Sequence, residues 1–136
     1  MQEPNIVLAI IQLIHFFIDA FCMSYVFLFN PIYDIYYSCF VLFQTIHWGV
    51  LKNECIVSYI EKKIIYPDYE LGDKPKWIPH YRVYHNKFTI LLKAIFILGS
   101  LSFIIFRNRK NNIKYICIAA IILWLYFTYF HKKSQL

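Results

Sequence analysis

The sequence is poor in the features that announce a soluble metalloprotein or a nucleic-acid binder. It has no Cys-x-x-Cys pair and no His and Cys at zinc-finger spacing, and Cys22, Cys39, Cys55 and Cys117 stand far apart. The four cysteines therefore read as free thiols in or beside helices. The Glu-x-x-His spacing of di-iron bundles occurs in no apolar run. Acidic residues are scarce, eight Asp or Glu against fourteen Lys or Arg, yet the net charge of +6 forms no continuous patch. The basic residues flank apolar runs, as expected of membrane flanks drawn to anionic lipid, and nucleic acid is not an expected partner. Residues 1–5 lack the positive stretch of a secretory signal and no small-x-small site follows, so no cleavable leader is expected. Glycine is down to three residues and proline to five, while Ile, Tyr, Phe, Lys and Asn abound. That usage suits an AT-rich genome, such as that of a protist or large virus.

What the chain does contain is hydrocarbon. Hydrophobic residues make up 60% of it and aromatics 21%, with a mean hydropathy of +0.47, well above the apolar share of a soluble domain. The expected fold is all-α: a polytopic integral membrane protein forming one domain over residues 1–136. Four spans are expected, at about 6–29, 32–51, 88–106 and 114–130. The first is long enough, at roughly 36 Å, to cross a bilayer with some tilt. Asn30-Pro31 breaks the run and makes a tight connection to the second span, whose polar groups are expected to be covered by close pairing with the first. Asp34 sits in the first turn of that second helix, near the positive end of its dipole.

The character of the chain changes at residues 52–87, the expected extramembrane segment, with seven Lys or Arg, five Asp or Glu and three Pro. Over 54–65, Cys55, Ser58 and Lys62 share one line and Ile56, Ile60 and Ile64 another, the spacing of a short amphipathic helix. Trp77, Tyr81 and Tyr84 suit the headgroup level. With four spans, both termini and 52–87 lie on one side, carrying nine Lys or Arg against four around the Asn30 and Arg107 turns. The positive-inside rule then favours cytoplasmic termini. Short connections make an antiparallel four-helix bundle the economical packing.

Polar groups inside spans cost about 2.5–3.5 kcal/mol per charge at mid-bilayer, so each needs a reason. Gln12, His15 and Asp19 form one stripe of the first helix, continued by Cys22 and Met23; Gln44, His47, Leu51 and Glu54 form another on the second. His15, His47 and Lys93 lie roughly 15, 6 and 8 Å below the side that carries 52–87. The candidate cluster is thus His15, Asp19, Gln44, His47, Glu54 and Lys93, in a vestibule roofed by that segment. His15, His47, Asp19 and Glu54 offer N and O donors for a transition metal, with His15 and His47 the candidate ligands, and the unequal depth of the two histidines argues against axial haem ligation. No cofactor is implied. The competing reading is that these side chains bond to one another as packing glue.

At Cys55-Ile56-Val57-Ser58-Tyr59-Ile60-Glu61 the chain resembles a family of small bacterial four-helix membrane proteins of unknown function. In that family, Cys-x-x-Ser/Thr-x-x-Glu follows a Trp-bearing second span. Cys55, Ser58, Glu61 and Lys62 match by type, and Ile56 stands where the family has proline. The resemblance implies the four-helix fold and no activity. By spacing, Cys55, Ser58 and Glu61 share one helix face, with Glu61 free to pair with Lys62, Lys63 or a basic partner. His47 lies too far from Cys55 for contact in a continuous helix. The expected role is a non-enzymatic structural or small-ligand-binding membrane component. The alternatives are a membrane enzyme or redox protein using the His/Asp/Glu cluster, and a proton or ion pathway. Expected partners are the lipid bilayer and either a second copy of the chain or other membrane proteins.

Overall fold

A computed structural model of the chain describes residues 6–52, 54–73 and 87–130, and everything described is helix, turn or connector. Helix α1 covers Ile6–Leu28, α2 Asp34–Val50, α3 Ile56–Ile65, α4 Lys87–Arg107 and α5 Ile113–Leu125. A 3-10 turn at Pro31–Tyr33 precedes α2, and a π-helical turn at Tyr126–Phe130 extends α5. Trp77, Tyr81 and Tyr84, expected at headgroup level, fall outside the described residues.

Three helices, Ile6–Leu28, Phe88–Arg107 and Ile113–Phe130, are long and apolar enough to cross a membrane. The expected second span is shorter in helix than in sequence, because α2 has 17 residues. Its start is set by Asn30, whose Oδ1 accepts from Ile32 N at 3.0 Å, and by Pro31, whose missing N–H costs nothing at a helix start. Its end is set at Lys52, which takes φ 49°, a left-handed turn that reverses the chain. The amphipathic helix therefore does not continue α2. It starts afresh after the extended Cys55.

The core follows helical periodicity. Tyr37, Ser38, Val41 and Thr45 of α2, Ala94, Ile97, Leu101 and Ile104 of α4, and Cys117, Ala120 and Trp124 of α5 are buried. Outside this seam the helices expose Phe17, Phe27, Phe43, Ile95 and Ile122. An apolar surface of that extent belongs in lipid rather than water.

The expected close pairing of α1 with α2 is not what forms. Helix α2 packs chiefly on α5, and α1 on α4. Side-chain size explains it. Between α1 and α2 lies a wedge of aromatic rings, with Tyr25 stacked on Tyr37 at 4.1 Å and Phe21 edge-on to Tyr37 and Phe40, which holds the two backbones apart. Between α2 and α5 small residues meet, with Ser38 Oγ 3.0 Å from Cys117 Sγ, and Ala120 of α5 is fully buried. Small residues let helix backbones approach. The polar groups of α2 are covered locally, Ser38 and Thr45 donating to the Asp34 and Val41 carbonyls at 2.7 Å.

Candidate functional site

Two polar centres form at opposite ends of α2. At its N-terminus Asp34 is completely buried. It accepts from Arg107 Nε at 2.6 Å and Nη2, from Asn108 Nδ2 at 2.6 Å and from Tyr25 OH at 2.9 Å. Both carboxylate oxygens are thus occupied by donors from α1, the end of α4 and the turn that follows it. This centre is a lock between three helices, with both oxygens of its carboxylate already taken. Sequence reading placed Asp34 in the first turn of its helix and Arg107 in the turn on the same side. It did not pair them, although opposite charges on one side of a bundle were the signal.

At the other end the helices part around a cavity of about 190 Å³. Helix α1 contributes His15, Asp19 and Cys22, and α2 contributes Gln44, Thr45 and Trp48. Helix α4 adds Lys93 between Ile90 and Ile97. The end of α5 adds Trp124, with Phe127 and Thr128 from the π-helical turn. That widened turn is a common device for aiming extra side chains at a site. Gly49 makes room for it, since a Cβ there would lie 2.5 Å from Phe127 Cζ. The roof is Glu54, Cys55, Ser58 and Lys62, from the start of α3 and the residues before it.

The ionised groups in the lining are paired. Lys93 Nζ lies 2.5 Å from Asp19 Oδ2, joining α4 to α1. Lys62 bonds to Glu54 Oε1 and, at 3.1 Å, to Tyr69 OH, which also donates to Glu54 Oε1. Burial, reinforced by the hydrogen bond to Glu54, pushes the Tyr69 phenol above its ordinary range. The Cys55 thiol is likewise pushed up by burial, partly offset by the backbone N–H groups of Val57 and Ser58. A thiol so placed is a poor nucleophile at neutral pH.

Three buried side-chain atoms among the described residues have no hydrogen-bond partner: Trp48 Nε1, Trp124 Nε1 and Glu54 Oε2. All three belong to residues that line this cavity. Unpaired buried polar atoms are rare and costly, so their concentration in one place is informative.

Of the sequence-predicted cluster, His15, Asp19, Gln44, Glu54 and Lys93 come together here, and Cys55 and Ser58 join them. His47 and Glu61 do not line the cavity. Because the chain reverses at Lys52, His47 Nε2 accepts from Ile56 N at 3.1 Å and caps α3. The sequence excluded a His47–Cys55 contact only for a continuous helix, and the contact that forms is with the neighbouring Ile56 amide. Glu61 accepts from Gln12 Nε2 at 3.0 Å, which ties the roof to α1. The two candidate metal ligands are thereby employed differently, and among the described residues no three His, Cys, Asp or Glu side chains gather closely enough to hold a metal ion. Sequence reading missed Trp48 and Trp124 as site residues. Their rarity, three tryptophans in the chain, was the only available sign.

The chain matches no protein-family model, no curated protein and no solved structure. The likeness to the small bacterial four-helix family rests on its motif residues alone.

Proposed function

We propose that the chain is a multi-pass membrane protein whose role is to hold a small polar ligand in the cavity beneath α3, without catalysing a reaction on it. The observation that supports this reading is that the three partnerless buried polar atoms among the described residues all belong to residues lining one cavity. Packing glue satisfies its own donors and acceptors, as the Asp34 centre does. Three residues of the cavity lining instead carry a polar atom without a partner, two indole N–H groups and one carboxylate oxygen. At about 190 Å³ it is smaller than drug-sized sites, which run from about 300 Å³, and holds roughly six water volumes. Acid–base chemistry is less well supported, because each lining carboxylate is already bound to a lysine.

In this reading α2 is a fourth span, antiparallel to α1. Its 17 residues and the preceding three-residue 3-10 turn together reach about 31 Å, close to the hydrocarbon thickness of roughly 30 Å. The termini and the α3 roof then share the cytoplasmic side, in keeping with its excess of basic residues. The family with the Cys-x-x-Ser/Thr-x-x-Glu motif is the proposed kinship.

Native mass spectrometry of protein released directly from its membranes tests the reading. Wild type carries a small non-covalent adduct, and Ser58→Phe or Thr128→Phe, each filling the cavity from a different wall, loses it. Bare chain alone in the wild type, with the helices intact by circular dichroism, refutes ligand binding and leaves ordered water as the occupant.

A further inference from the structure

The unused hydrogen-bonding groups and the charge of the lining together define what fits. Two lining residues are anionic, Asp19 and Glu54, and two cationic, Lys62 and Lys93, and they are joined pairwise. The fixed charges of the cavity therefore cancel. A ligand with net charge would enter a partly enclosed space whose charged groups, among the described residues, are already matched, an unfavourable arrangement. The atoms left over are nonetheless polar and of both kinds. Trp48 Nε1 and Trp124 Nε1 only donate, and Glu54 Oε2, the free oxygen of a carboxylate whose other oxygen holds Lys62 and Tyr69, only accepts. Trp124 is only 4% exposed, so its N–H has no recourse to solvent.

We infer that the ligand is a zwitterion with an N–H-bearing ammonium at one end and an oxyanion at the other. This rests on the ligand-binding reading above. The ammonium donates to Glu54 Oε2, and the oxyanion accepts from the indoles of Trp48 and Trp124. Both contacts are charge-assisted, the strong class of hydrogen bond, and the ligand adds no net charge. The same chemistry is carried by free glycerophosphoethanolamine, a phosphodiester with no net charge, and by the headgroup of phosphatidylethanolamine. Near-relatives fail in defined ways. A phosphocholine group has no N–H to offer Glu54, and a glycerol phosphate brings an uncompensated negative charge.

The test uses the full chain carrying Trp77→Phe, which leaves Trp48 and Trp124 as its only tryptophans, reconstituted in phosphatidylcholine nanodiscs. Indole emission is followed while glycerophosphoethanolamine, glycerophosphocholine or glycerol 3-phosphate is added, and separately while phosphatidylethanolamine or phosphatidylglycerol replaces part of the lipid. The inference expects a saturable shift at least tenfold more sensitive to the ethanolamine compound of one arm than to its counterparts. A response to the soluble compound identifies a free ligand, and a response to the lipid alone identifies a headgroup. Glu54→Gln, with its fold checked by circular dichroism, should abolish the preference. Equal responses to all compounds, no response in either arm, or a preference that survives Glu54→Gln overturns the inference. If the mass-spectrometric adduct sensitive to Ser58→Phe persists in that case, the cavity still binds something and only the ligand class is wrong. Loss of the adduct as well means that the binding reading itself has failed.

Discussion

Replacing Asp34 by alanine is the perturbation whose cost can be worked most fully from geometry. The carboxylate has no solvent exposure, and its partner Arg107 keeps only 19% of its side-chain surface accessible. Asp34→Ala leaves that guanidinium, Asn108 Nδ2 and Tyr25 OH facing a space with no acceptor. Breaking a buried pair in this way costs about 3–5 kcal/mol, more than a hundredfold in the folded-to-unfolded ratio. Arg107→Met is the reciprocal change. It should cost less, because Asp34 keeps the Tyr25 and Asn108 donors. The double variant removes both charges and should be more stable than the sum of the two losses implies, a coupling of about 1–3 kcal/mol. The assay is reversible unfolding in mixed micelles, followed by circular dichroism for wild type, both single variants and the double. A loss below about 1 kcal/mol for Asp34→Ala, or strict additivity in the cycle, would refute the assignment of this centre as the lock joining α1, α2 and the α4–α5 turn.

Three further outcomes are expected. Gly49→Ala pushes a methyl group into the Phe127 ring, 2.5 Å away, and should destabilise by about 1–3 kcal/mol, with Phe127→Leu relieving the loss in the double variant; micellar unfolding again reads it. Cys55, whose thiol is raised from an ordinary value of 9.0, should alkylate slowly at pH 7.5 in peptide-resolved mass spectrometry. Because the folded chain keeps the Cys55 proton that the unfolded chain releases, stability relative to Cys55→Ser should fall as pH rises above about 9.0; a rise would contradict the burial of the thiol. Probes at Asp73→Cys and Lys110→Cys should label from opposite sides of sealed vesicles, and equal labelling would remove the four-span topology.

Helix positions were legible because they depend on local pattern. Apolar runs of span length, the Asn30-Pro31 break and the i, i+3, i+7 placement of Cys55, Ser58 and Lys62 are all read from near neighbours in the chain. The polar stripe on α1 was legible for the same reason, and depth arithmetic placed His15, His47 and Lys93 at one end of the bundle. What escaped depends on tertiary packing. The preference of α2 for α5 over α1 comes from ring volume at Phe21, Tyr25 and Tyr37 against small residues at Ser38, Cys117 and Ala120, a comparison visible only once the helices face each other. The diversion of His47 into a cap follows from a left-handed turn at Lys52, where no glycine signals it. Trp124 belongs to an apolar run without polar periodicity, so nothing local distinguishes it from a lipid-facing ring.

The most direct measurement is an experimental density map at side-chain resolution of the chain in nanodiscs formed from its native membrane. The account predicts a discrete, non-water feature in the cavity, within hydrogen-bonding distance of Trp48 Nε1, Trp124 Nε1 and Glu54 Oε2. Isolated water peaks alone, or a cavity closed by rotation of the two indoles onto protein acceptors, would contradict it.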